Sequence, residues 1–263
     1  MADWRPLAGP LAASVHGSGP RIVLVHGFTQ TGRSMTALGE RVAALGFEAA
    51  IVDLPGHGDS GHVRADLRTT ATLLADTTGP AIYVGYSLGG RVCLHLALMS
   101  PHVVERLALI GATAGIDDAG ERAARRAADE RLAQRIVEIG VATFLDEWLA
   151  QPLFADLQVT DADRAERARN TADGLASSLR LCGTGTQLPM WDRLVELNMP
   201  VLAMAGELDS KFVPIAERIA RSAPQGVFGQ IHGAGHAAHL QQPGQVVTRL
   251  EMWLRGTRLA LAT

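Results

Sequence analysis

Residues Val84–Arg91 read VGYSLGGR. Gly85 and Gly89 bracket Ser87 in the pattern Gly-x-Ser-x-Gly, with the apolar run Ala81–Gly85 before the serine and the helix-like run Leu88–Met99 after it. Two readings are open. The serine is a nucleophile lifted onto a strained strand-to-helix turn, or the stretch is a Gly-rich turn between two core elements. The first demands strand, serine and helix in that order. The hydroxyl must project from the C-terminal edge of a sheet, and small flanking residues must let two backbones come close. That order is present here.

The same alternation extends outward. Arg21–Gly27, Glu48–Gly56, Val104–Ala112, Pro200–Gly206 and Gly226–Gly233 read as further strands. Helical patterns fall near Ser34–Leu45, Asp66–Thr77, Pro214–Ser222 and Gly244–Leu254. Strand–helix alternation builds a mostly parallel, doubly wound α/β sheet. The interval from Gly115 to Trp191 breaks the pattern: it lacks a convincing strand and carries runs such as ERAARRAADERLAQRIVEIG. The expected organisation is a core over 1–114, a helical cap over 115–191 and a second core part over 192–263. The terminal RGTRLALAT reads as a frayed or weakly docked end.

Bulk properties set limits. The 263 residues suit one large domain, and 47% hydrophobic with 19% charged residues describes an ordinary globular interior. A net charge of −3 argues against nucleic-acid binding, since no basic excess is available to neutralise phosphates. Cys93 and Cys182 match no metal-ligand spacing and suit a reduced, cytoplasmic setting. The N-terminus has no basic start or long apolar stretch of a signal peptide, and no apolar run reaches the length of a membrane span. Lys211 is the only lysine in the chain.

A reactive serine needs a base, and the base needs an orienting acid. The loop GAGHAAH after the last strand offers His236, with His239 as its competitor and a packing role as that residue's expected fate. AGELDSKF offers Glu207 and Asp209, of which Asp209 has the expected spacing. The order Ser, Asp, His is that of α/β-hydrolases. VHGFTQTG supplies the oxyanion hole, with the Phe28 amide paired to that of Leu88. His26 and His57 read as structural, and no histidine spacing suggests a metal site.

These residues, together with HGFTQTG, DLPGHGDS, GYSLGGR, WLAQPLF, SLRLCGTGTQLPMW, ELDSKF and GAGHAAHLQQP, resemble the α/β-hydrolase fold throughout and, within it, the MenH family. Its members are the 2-succinyl-6-hydroxy-2,4-cyclohexadiene-1-carboxylate synthases of menaquinone biosynthesis. The resemblance implies a lyase reaction: a proton is abstracted from a ring bearing a carboxylate, a succinyl chain and an enolpyruvyl ether, and pyruvate is eliminated. Ser87, deprotonated through His236 and Asp209, would serve as a base, with no covalent intermediate and no cofactor. The partner is then a small polyanionic molecule. Tyr86, Arg91, Arg125, Arg126, Trp148, Arg169 and Lys211 are the candidate substrate contacts, since arginine's fork pairs with carboxylates bidentately. Against this, a cap arginine can equally be a solvated or ion-paired helix face, and Arg125 with Asp129 has i,i+4 spacing. Trp148 can equally be cap core. The alternatives are a carboxylesterase or carbon–carbon bond hydrolase, in which Ser87 attacks a carbonyl, and a non-catalytic ligand receptor on the same fold. An esterase pocket should be mainly apolar, whereas this chain places cations beside the elbow and across the cap.

Overall fold

The computed structural model describes residues 3–256. Eight strands form one sheet: β1 (Arg5–Leu7), β2 (Ala13–Gly17), β3 (Arg21–Val25), β4 (Glu48–Val52), β5 (Ala81–Tyr86), β6 (Val104–Ile110), β7 (Val201–Gly206) and β8 (Gly226–Ile231). Their spatial order is β1-β2-β4-β3-β5-β6-β7-β8. From β4 through β8 every pairing is parallel, while β1–β2 and β2–β4 are antiparallel. Parallel strands covered by helices are apolar on both faces, and this is why their sequences read as continuous Val, Ile, Leu and Ala runs.

The helices are α1 (Thr36–Ala44), α2 (Leu67–Thr78), α3 (Leu88–Met99), α4 (Ala119–Leu149), α5 (Asp161–Arg167), α6 (Ala172–Cys182), α7 (Phe212–Ser222), α8 (Ala238–Gln241) and α9 (Pro243–Leu254). One face of the sheet packs on α2, α3 and α7 through residues such as Leu74, Val92, Leu96 and Ile219. The other packs on α1 and α9 through Leu38, Val42, Leu250 and Trp253. Side chains capping the first turns fix several starts: Asp66 accepts from Thr69 N–H at 2.8 Å, and Asp118 from Glu121 N–H at 2.7 Å.

The expected helices are present within a few residues of their sequence boundaries; a 3-10 turn, Gly32–Met35, replaces the first part of the one expected from Ser34. The antiparallel pair β1–β2 is additional to the expected strands. The C-terminal reading falls largely on residues 257–263, which lie outside the described residues.

Between β6 and β7 the chain forms α4, α5 and α6, with a core of their own containing Ile136, Phe144, Trp148, Phe154, Leu175 and Leu179. Helix α4 is interrupted at Gly140, which takes φ 78° and ψ 166°. The two connections to this insertion run side by side: Met190 N–H donates to Ala114 O at 2.8 Å, and Trp191 Nε1–H to Gly115 O at 3.0 Å. No helix of the described residues is long and apolar enough to cross a membrane.

At the centre of the sheet, α3 meets β5 in a very tight turn. A methyl group on Gly85 would lie 2.5 Å from both Gly89 O and Gly90 N, and one on Gly89 would run into the carbonyl oxygens of Val25 and His26. Because rigid backbone lies on both sides, neither site can relax. Gly89→Ala is expected to destabilise the fold by about 2 kcal/mol or more, read as a lower urea midpoint. An unchanged midpoint would show that this turn is looser than described.

Candidate active site

Ser87 joins β5 to α3 at φ 49° and ψ −107°, a left-handed conformation that costs a non-glycine residue on the order of 1–3 kcal/mol. The Ser87 N–H is fixed by donation to Ile110 O at 2.9 Å. His236, in the loop between β8 and α8, is reached by the Ser87 hydroxyl at 3.3 Å from Nε2. Its other nitrogen, Nδ1, donates to Asp209 Oδ2 at 2.7 Å. Asp209 also accepts from Phe212 N–H at 3.1 Å, which locks the carboxylate at the head of α7. The three side chains expected from the sequence are thus brought together in the order Ser87, His236, Asp209. The serine contact is long for a hydroxyl donor, and such contacts tighten when substrate fills the site. Glu207 instead accepts from Gly233 N–H and faces His232.

The His236 ring is held by Phe212, with centroids 4.5 Å apart, and by Tyr86 at 5.3 Å and Phe154 at 6.1 Å. His239 lies against Tyr86 at 4.1 Å and accepts from Gln30 Nε2 at 3.2 Å. It packs the site, and the Ser87 hydroxyl bonds to His236 instead.

Phe28 and Leu88 both line the chamber above Ser87. Leu88 opens α3, where helix geometry leaves N–H groups without an internal acceptor. Phe28 follows Gly27, and a methyl on Gly27 would strike the Tyr86 ring at 2.6 Å. Thr29, the next residue, holds φ 66°, the other positive φ at a non-glycine among the described residues. The insertion clamps it. Asn170 Nδ2 donates to Thr29 O at 2.8 Å, and Arg167 Nη1 to Thr29 Oγ1 at 2.6 Å.

Above the serine lies a space of three adjoining chambers, of about 90, 540 and 370 Å³. Arg125 and Lys211 line all three, and Arg91 lines the two that reach Ser87. Tyr86, Trp148 and Phe28 line the innermost. Arg91 is only 7% exposed, and burial draws its guanidinium down to about 10. Its hydrogen-bond partner is neutral: Gln187 Oε1 at 3.3 Å. Arg125 pairs with Asp129 at 2.7 Å, as the i,i+4 spacing implies, and still faces the chambers. The Tyr86 phenol is pushed well up by burial, so it stays protonated and able to donate.

Two expected contacts require correction. Arg169 lines none of the three chambers; its guanidinium is held by Asp59 at 2.8 Å and Glu166 at 2.6 Å. Helix α5 ends at Arg167, which places Arg169 beyond the helix and on the outside. Arg126 lies in a separate depression with Glu130 and Arg180, because adjacent residues on α4 point about 100° apart. Arg167, which the motifs do not single out, is 2% exposed and has a buried Nε without a hydrogen-bond partner. Its spacing to Asp163, 3.7 Å from Nε, was the available signal.

Burial holds three histidines beneath the site neutral: His26 at about 4, and His57 and His239 at about 3. An unfolded chain takes up these protons near pH 6.5, the ordinary histidine value. Each residue therefore contributes stability that is intact above that pH and lost as pH falls toward its folded value. The urea midpoint should fall between about pH 6.5 and pH 4, as stability drops by up to about 1.4 kcal/mol per pH unit for each histidine. His57→Gln should flatten that slope; an unaltered slope would show that His57 is not held neutral.

Known proteins resemble this chain along most of its length. The profile described as "Alpha/beta hydrolase family" matches residues 22–249. The 2-succinyl-6-hydroxy-2,4-cyclohexadiene-1-carboxylate synthase of Salmonella agona is 32% identical over 244 residues, covering 90% of this chain and 94% of its own. Its counterpart from Salmonella newport is 33% identical with the same coverage. The solved structure of MenH from S. aureus superposes with a TM-score of 0.86 at 27% identity, covering 93% of this chain and 98% of that one. A thermophilic esterase from Thermogutta terrifontis shares the fold at 24% identity and a TM-score of 0.81. The chain belongs to the α/β-hydrolase family and, within it, to the 2-succinyl-6-hydroxy-2,4-cyclohexadiene-1-carboxylate synthases.

Proposed function

We propose that the protein eliminates pyruvate from 2-succinyl-5-enolpyruvyl-6-hydroxy-3-cyclohexene-1-carboxylate to give 2-succinyl-6-hydroxy-2,4-cyclohexadiene-1-carboxylate, a carbon–oxygen lyase step of menaquinone biosynthesis. The family relationship carries the choice of reaction. One observation in the site supports the substrate class: three cations, Arg91, Arg125 and Lys211, converge on the chamber that holds Ser87 and His236. The substrate carries three carboxylates, on the ring, the succinyl chain and the enolpyruvyl ether. Residues 115–191 serve in this reading as the cap that closes over it, in a cytoplasmic setting that suits the two buried free thiols.

The chemistry follows from comparing the two structures. The substrate's ring double bond lies at C3, the product's at C2 and C4, so a proton leaves C2 and the C5–O bond breaks. The C2 proton is acidic because the succinyl ketone is attached there. Ser87 takes this proton while His236 Nε2 accepts the serine's own, and Asp209 steadies the resulting imidazolium. The electron pair delocalises onto the ketone oxygen, where the Phe28 and Leu88 amides stabilise it. The negative charge then returns through the ring. The double bond moves, C5–O breaks, and the enolpyruvyl group departs as the enolate of pyruvate, which takes up a proton. Serine never bonds to carbon, so the same triad performs elimination where an esterase would acylate.

The test is pyruvate release from the enolpyruvyl substrate made in situ. Ser87→Ala should lower kcat by about 10³-fold or more. Arg91→Ala should raise KM by roughly ten- to a hundredfold. Release no faster than the spontaneous rate, with efficient hydrolysis of neutral esters, would replace the lyase with a carboxylesterase.

A further inference from the structure

Arg91 sits at the base of the site with a constraint that its own helix does not explain. It projects from the first turn of α3, is 7% exposed and makes no salt bridge among the described residues. A buried guanidinium left free to turn would seek a carboxylate, and a carboxylate partner would cancel the charge that the site needs. Gln187 resolves this. It is 1% exposed and lies in the return connection from the insertion, between α6 and β7. Its Oε1 accepts from Arg91 Nη1 at 3.3 Å, and its Nε2 donates to Thr113 O at 3.3 Å, in the outgoing connection after β6.

Both ends of the amide are therefore used, and the partners decide which end is which. The guanidinium can only donate, and the Thr113 carbonyl can only accept. A glutamine satisfies both with no net charge. A glutamate would ion-pair with Arg91 and press an anionic oxygen against a carbonyl.

We propose that Gln187 is a positioning residue that aims the Arg91 guanidinium at the substrate's carboxylate while leaving its charge uncompensated. The role rests on the anion-binding reading of the site and deepens it: Gln187 makes Arg91 a receptor for an external carboxylate. Because Gln187 also joins the outgoing and returning connections of the insertion, it ties the orientation of Arg91 to the seating of that insertion. Lys211 shares the chambers with Arg91, and His95, one turn along α3, is held neutral by burial and by the Arg91 charge. Arg125 and Asp129 on α4 pair with each other, Asp129 also accepts from Gly185 N–H at 3.2 Å, and the Cys182 thiol donates to Ala65 O.

The experiment compares wild type, Gln187→Glu and Gln187→Met. KM for pyruvate release is measured, together with calorimetric binding of trans-1,2-cyclohexanedicarboxylate, a ring dicarboxylate that does not react. At neutral pH Gln187→Glu should weaken the dicarboxylate and raise KM by roughly ten- to a hundredfold, the scale of a lost charge-assisted contact. The loss in Gln187→Glu should fall on KM, with kcat within about threefold of wild type, because the reacting groups are untouched. Gln187→Met, which can neither hold nor neutralise the fork, should weaken binding less than Gln187→Glu, since Arg91 keeps its uncompensated charge. A purely structural glutamine would give two variants with equal losses shared between KM and kcat, and that result overturns the proposal. Wild-type protein that binds no dicarboxylate also overturns it. Dicarboxylate binding without pyruvate release would instead refute the proposed reaction and leave the anion receptor standing.

Discussion

Ser87 is held at φ 49° because the backbone on every side leaves it no other course. Helix α3 is driven so close to β3 and β5 that only hydrogen fits at Gly85 and Gly89. The strain is compensated by burial of α3, whose Val92, Cys93, Leu94 and Leu96 lie in the main core. From this one turn the rest of the site takes its coordinates. Ser87 and Leu88 line the same chamber. Arg91, one helical turn on, reaches the same chambers. Strain at the turn and charge in the site are linked by four residues of one helix.

A second layer of control comes from the insertion. Thr29, the other strained non-glycine, is fixed from above by Arg167 and Asn170, and Arg91 is fixed by Gln187. Both the loop after β3 and the guanidinium at the head of α3 thus lean on residues between β6 and β7. Asn170 also accepts from Gly58 N–H at 2.8 Å, so the loops after β3 and β4 are tied to the same short stretch. An open sheet places its reactive groups at the carboxyl ends of its strands. Here the insertion does more than cover them, because it supplies hydrogen bonds that the loops cannot make among themselves.

What the sequence made legible follows the same physics. The parallel strands, the elbow and the triad were readable because each is fixed by local pattern: apolar runs, glycines at set offsets, and a histidine and an aspartate directly after strands. Strands β1 and β2 were not. Their pairing is decided by the edge that β4 offers, and ASVHG, though it alternates apolar with polar residues, is too short to stand out on its own. The cap arginines show the limit most clearly. Arg125 faces the chambers and Arg126 does not, while Arg167 is buried and Arg169 lies outside. Spacing along the chain cannot choose between near neighbours when the choice is made by a helix's phase and its last residue. Gln187 stands within SLRLCGTGTQLPMW, but nothing in the sequence signals its place, which exists only where the two connections of the insertion meet.

The central claim is that this triad removes a proton from carbon and never bonds to it. A single-turnover comparison of substrate carrying hydrogen or deuterium at ring C2 tests that directly. If Ser87 acts as the base, pyruvate appears severalfold more slowly from the deuterated compound, and the deuterium is lost to solvent. Equal rates, with deuterium retained at C2, would contradict the account.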